Sequence, residues 1–332
     1  MPYTELIKKA FNTVRREPAL WVLGIILALF GGGSSGGGNG GNFNMGNGDF
    51  GNFDNMPNNP DFQAPAWFNA ENLVPLLLTL ACVVIALSIV SLVVRSVALA
   101  GLIHGADRAA TGEDVHWRDL WRAGWSSRGR RIIGLDLLIG IPVLLFVLVL
   151  AGLLFAFAVP VVRAVGTGAD PGTAIAGGLI GVACLFGLIF LGVIGGWILG
   201  LIRNYAARSI VLEGRPVREA FGRGWRLFRE SLADTMVFSI MLGVIGIILG
   251  FVLGLLLLVV FLVLGVPFFV FWASQEFALL PGLLLGIPAL LLIIILSSVL
   301  YGPVVAFFET AWTVTWRYLM TPRPAAEVEL AA

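Results

Sequence analysis

The chain has 332 residues, of which 58% are hydrophobic and only 12% charged, against about 25% charged in an ordinary soluble domain, so water is excluded as its main solvent. A net charge of +1 gives no basis for a polyanionic partner, and no nucleic acid is expected. With two cysteines and two histidines, a disulfide framework and a His-rich metal centre are excluded as well.

The first element is a basic segment containing Lys8, Lys9, Arg15 and Arg16, with Leu6, Ala10, Phe11 and Val14 on one helical face. A short apolar stretch at 19–30 follows it. A cleavable signal peptide would have a shorter basic part without helical patterning, so the pair reads as an uncleaved amphipathic helix and a first crossing that extends into the glycines beyond. Residues 31–72 are mostly Gly and Asn with scattered Phe. Such a tract buries too little apolar surface to offset its chain entropy, which predicts a loop on the outer side of the membrane. Gly33, Ser34, Ser35 and Gly36 match the Gly-x-Ser-Gly of rhomboid-type proteases. Both histidines, His104 and His116, fall on the opposite side, so no Ser/His dyad forms there.

Five longer apolar runs come next, at 73–94, 132–159, 174–202, 232–265 and 283–308. Each is long enough to cross the roughly 30 Å hydrocarbon layer as a helix of about 20 residues, and none shows the two-residue alternation of a barrel strand. Cys82 and Cys184 fall inside two of them and read as small buried hydrophobes. Of the 21 Lys and Arg, 20 lie in segments that share the side of the N-terminus when six crossings are drawn. The positive-inside rule then puts both termini in the cytoplasm of a cell bounded by a plasma (inner) membrane.

The stretches KKAFNTVRREPALW, RDLWRAGWSSRGRRIIG and REAFGRGWRLFRES each place aromatic and basic residues just before a crossing. Phe11, Trp121 and Phe221 hold matching places at intervals of about 110 and 100 residues, an internal repeat. The fold class is therefore all-α, a single polytopic membrane helix bundle of about six transmembrane helices. They form three helix-hairpin repeats, about 1–110, 111–214 and 215–320, each preceded by a cytoplasmic amphipathic helix, and residues 321–332 are a cytoplasmic tail. ARSIVLEGRPVREAFGRGWRLFRES, running from Ala207 to Ser231 into an apolar helix, resembles the membrane domain attached to some glycerophosphoryl diester phosphodiesterases and related stand-alone bacterial membrane proteins of unassigned function. The catalytic part of those phosphodiesterases is a separate barrel with no counterpart here, so the resemblance implies a membrane fold and no activity.

Candidate sites are of two kinds. Gly192, Gly196 and Gly200, and Gly246, Gly250 and Gly254, repeat at four-residue spacing and predict close helix packing, within the chain or in a homo-oligomer. On the third basic segment, Val217, Phe221, Trp225, Phe228 and Leu232 gather within an arc of roughly 80°, beside Arg215, Arg218, Arg226 and Arg229. Trp225 and these four arginines are the candidate contacts for anionic lipid at the inner surface. Asp136 and Asp234, each five residues after an arginine, are expected to complement a helix N-terminus and pair with Arg131 and Arg229. An aromatic outer loop is expected at 266–282. No phosphate-binding loop, His-Glu-x-x-His or paired-cysteine motif occurs, so catalytic, cofactor and metal residues are all expected to be none. The expected role is a non-catalytic scaffold acting on lipid or a partner protein, with a permease-like carrier of an apolar or lipidic substrate as the alternative.

Overall fold

The computed structural model describes residues 3–31, 70–167, 171–274 and 279–321. Most of the Gly/Asn-rich segment, the Gly33–Gly36 match, Gln275 and Glu276, and the tail from 322 lie outside these residues. Every described element is a helix: α1 (Tyr3–Arg16), α2 (Pro18–Leu29), α3 (Ala70–Ala110), α4 (Trp117–Gly124), α5 (Ser127–Thr167), α6 (Pro171–Glu213), α7 (Val217–Glu230), α8 (Leu232–Ser274) and α9 (Leu279–Met320). Helices satisfy their own backbone hydrogen bonds, which a lipid-exposed segment must do because hydrocarbon supplies no partner.

Five helices are long and apolar enough to cross a membrane, through Ala81–Ala110, Ser127–Ala156, Ala183–Glu213, Leu232–Phe268 and Leu284–Met320. The sixth expected crossing differs. With 12 residues, α2 is about 18 Å long at 1.5 Å per residue, short of the hydrocarbon thickness. Its end is fixed, since Ser91 Oγ of α3 donates to the Phe30 carbonyl at 3.2 Å.

The long helices also overrun the expected crossings. α3, α6 and α9 continue for about three to four turns past 94, 202 and 308, and α8 runs through most of the expected aromatic loop to Ser274. Hydropathy reports the solvent around a helix; an arginine ends an apolar run without ending the hydrogen-bond ladder. What ends two of these helices is a glycine in the left-handed region, Gly112 at φ 87° beyond α3 and Gly214 at φ 72° beyond α6.

Those overrunning ends form the core. Leu99, Leu102 and Ile103 of α3, Tyr205 and Ile210 of α6, and Ala311 and Trp312 of α9 are buried together with Leu20, Leu23 and Leu27 of α2. Around them α1 packs on α9, α4 on α3 and α7 on α6, while α2 sits against α9 and α3. By contrast, the most apolar stretches of α5 and α8 bury 0% of their residues inside the protein. Cys82 of α3 and Cys184 of α6 are likewise exposed, against expectation. Side chains there gain nothing by leaving lipid for protein, because hydrocarbon is as apolar as they are. The packed region is thus confined to the end of the bundle that carries the three short basic helices.

Candidate functional site

The short helices dock by their smallest residues. α7 buries Ala220, Gly224, Leu227 and Phe228. A Cβ on Gly224 would lie 2.8 Å from the Ile202 carbonyl oxygen and 3.0 Å from the Ala206 nitrogen of α6, so only glycine permits the approach. α4 repeats the device on α3: Leu120 and Gly124 are buried, Gly124 faces the Val97 carbonyl, and a Cβ on Gly101 would lie 2.6 Å from the Leu120 carbonyl oxygen. α1 buries Leu6, Ala10, Thr13 and Val14 and sets Phe11 edge-on to Phe307 of α9 at 6.4 Å between ring centroids.

The expected aromatic arc of α7 is therefore not its buried face. Of its five members only Phe228 is buried, while Trp225 stays 48% and Leu232 46% exposed. A ring holds two backbones apart whereas glycine lets them meet, so the Ala/Gly side makes the closest protein contact, Val217 and Phe221 are half-buried beside it, and Trp225 and Leu232 face outward. Arg218, Arg226 and Arg229 are exposed and make no hydrogen bond or ion pair among the described residues. Arg215 is paired with Glu213. α4 presents Trp117 and Trp125 in the same way, at 52% and 53% exposure.

The predicted glycine ladders do not form continuous seams within the chain. A Cβ on Gly192 would meet the Phe146 ring of α5 at 2.5 Å, one on Gly246 would meet Phe308 of α9 at 3.2 Å, and one on Gly250 would reach the Tyr301 hydroxyl at 3.7 Å. Gly196, Gly200 and Gly254 have no neighbour within 4 Å. A tighter approach joins the short α2 to α9, where a Cβ on Gly24 would strike the Gly302 carbonyl.

A cluster of charges lies between the overrunning helix ends, and the sequence reading missed it. Arg208 of α6 and Glu309 of α9, both with side chains 0% exposed, form an ion pair at 2.9 Å. The same guanidinium also donates to the Glu309 carbonyl at 2.9 Å and the Asn204 carbonyl at 2.7 Å. Beside it, the buried Trp312 meets Phe238 and Tyr205 edge-on at 5.3 and 5.8 Å, and Tyr205 shares a 2.8 Å hydrogen bond with Thr235. Asp136 of α5 pairs with Arg203 of α6 at 2.6 Å, not with Arg131, which donates instead to the Gly214 carbonyl at 2.5 Å. Because α5 begins at Ser127, Asp136 stands well inside the helix, away from its N-terminus. Asp234 does stand in the first turn of α8, as expected; there it accepts a 2.8 Å hydrogen bond from the Tyr3 hydroxyl of α1, and Arg229 makes no ion pair among the described residues. Farther out, Asp107 of α3 pairs with Arg317 of α9 at 2.5 Å, and His104 lies half-buried within α3. A sequence signal for the cluster did exist. Glu309 is the single acid of α9, and an ionisable group on such a helix calls for a named partner.

Arg95 of α3 faces the charges of Arg203, Asp136 and Glu309. It closes one end of a groove of about 410 Å³ along α3, lined by Val84, Leu87, Ser88, Ser91, Leu92 and Arg95. Its Nε is buried without a hydrogen-bond partner. The groove's hydroxyls are already engaged, Ser88 with the Val84 carbonyl at 2.7 Å and Ser91 with that of Phe30.

Five membrane-length apolar helices gathered at one packed, charge-rich end define a helical membrane protein. Among the described residues no three of His, Cys, Asp and Glu gather where a metal could be held. The chain belongs to a family of unknown function, DUF7544, which it matches over residues 11–313. No curated protein and no solved structure matches it.

Proposed function

We propose that this protein is a non-catalytic, multi-pass protein of the plasma (inner) membrane. It organises anionic lipid, or a partner protein at the lipid surface, through α1, α4 and α7 on the cytoplasmic side, where both termini also lie. One observation carries the reading: α4 and α7 bring a glycine to the docking contact and leave Trp117, Trp125 and Trp225, with most of their arginines, outward. Tryptophan belongs at the headgroup level, and each arginine near an anionic leaflet contributes about 1 kcal/mol.

Three repeated units support the same reading. Ala10, Leu120 and Ala220 occupy matching places and are all buried, and so do Val14, Gly124 and Gly224 four residues later. Each short helix docks on the last helix of another unit, α1 on α9, α4 on α3 and α7 on α6, a cyclic pattern that one ancestral hairpin used three times would produce. The test is to change Arg215, Arg218, Arg226 and Arg229 together to Gln and to measure the total anionic lipid that co-purifies in mild detergent. The expected result is a marked fall with the melting profile unchanged. An unaltered lipid content would reduce α7 to an anchor for α8 and refute the proposal.

A further inference from the structure

We infer that the groove ending at Arg95 is a binding site for one anionic phospholipid, its phosphate on the Arg95 guanidinium and one acyl chain along α3. The inference rests on the membrane placement proposed above, and on charge complementarity.

The cluster around Arg95 holds three guanidiniums, Arg95, Arg203 and Arg208, and two carboxylates. Asp136 is taken by Arg203 at 2.6 Å and Glu309 by Arg208 at 2.9 Å. Arg95 is left as a half-buried cation with no hydrogen bond or ion pair of its own among the described residues, its buried Nε unpartnered. A cation withdrawn from water without a counter-charge is costly, and the serines beside it cannot serve, since a hydroxyl carries no charge and both are engaged.

Depth identifies the anion. Gly124 rests on the Val97 carbonyl, and the next residue, Trp125, is 53% exposed, which marks Val97 as the headgroup level. Arg95 is two residues, or about 3 Å, further in, where lipid phosphates meet the glycerol. Planar guanidinium and phosphate oxygens match in a two-point contact. From there Leu92, Leu87 and Val84 lead up to about 16 Å toward the bilayer centre, the course of an acyl chain. Val84 and Leu87 are 52% and 63% exposed, so the groove is open along its flank and a second chain can remain in the bilayer. That opening favours a two-chain phospholipid over a fatty acid.

The test is native mass spectrometry of full-length, delipidated protein in non-ionic detergent, titrated with phosphatidylglycerol, phosphatidylcholine of the same chains, oleate or inorganic phosphate. Wild type is expected to hold one phosphatidylglycerol at least tenfold more tightly than any of the others. Arg95→Gln is expected to lose that preference, while the four-arginine variant of α7 retains it. Leu87→Trp, which fills the groove and spares the cluster, is expected to lose the lipid too, and it decides the matter if Arg95→Gln does not fold. Undiminished binding to Arg95→Gln or to Leu87→Trp overturns the inference, and so does equal binding of oleate or phosphatidylcholine. Because the α7 variant is read separately, failure at Arg95 leaves the surface-helix proposal standing, and the converse also holds.

Discussion

The Arg208–Glu309 pair offers the sharpest test of how the packed end is held. Both side chains are 0% exposed, so Glu309→Leu strands a guanidinium in a low-dielectric core, and breaking such a pair costs about 3–5 kcal/mol. The lower figure applies here, because Arg208 keeps two carbonyl acceptors, at Glu309 and Asn204. A loss of about 3 kcal/mol corresponds to a fall in Tm of roughly 6–12 °C, taking about 2–4 °C per kcal/mol for a large domain. Arg208→Met strands the Glu309 carboxylate instead and is expected to cost a similar amount. The double variant removes both charges and fills the space with apolar atoms, so it is expected to recover most or all of the loss. The assay is thermal unfolding in detergent followed by tryptophan fluorescence, since Trp312 lies against Tyr205 in the same region. Singles within about 0.5 kcal/mol of wild type, or a double variant as unstable as the sum of its singles, would refute the reasoning.

Other outcomes follow from the same geometry. Gly24→Leu is expected to lower thermal stability by about 1–3 kcal/mol or more through overpacking against Gly302, whereas Gly196→Leu, with open space around it, is expected to leave the melting curve unchanged. Tyr3→Phe deletes the hydrogen bond that ties α1 to Asp234 of α8 and is expected to cost about 1 kcal/mol by denaturant titration. In a background lacking Cys82 and Cys184, a cysteine at Thr167 is expected to react with an impermeant thiol reagent on intact cells and one at Ser127 to remain protected; the reverse pattern would invert the orientation.

The helical membrane class was legible because it depends on run length alone. The ends of the helices were not. Arg95 and Arg203 look like the edges of crossings, yet α3 and α6 continue beyond them as core helices, since a buried charge and a solvated one are spelled alike. Arg208 and Glu309 are separated by 101 positions, and nothing local announces their meeting; only the pairing of α6 with α9 brings them together. The glycines show the converse error. Gly196, Gly200 and Gly254 have the expected spacing and no neighbour, while Gly24, Gly124 and Gly302 stand outside those ladders and make closer approaches than any ladder glycine. Spacing shows which residues share a face, but not whether a second helix comes to that face. On α7 the periodicity separated polar from apolar residues correctly, yet hydrophobicity could not say which apolar flank meets protein, a choice made by side-chain size.

Confining the packing to one end divides the chain into a part stabilised from within and a part stabilised by its solvent. The most apolar stretches of α5 and α8 bury none of their residues in the protein, so their tilt can follow the local bilayer at a fraction of a kcal/mol per ångström of mismatch. The clamped ends near Trp312 need not move when they do. Adjustment to membrane thickness then falls to the apolar arms, while the charged core keeps the contacts it makes within the protein.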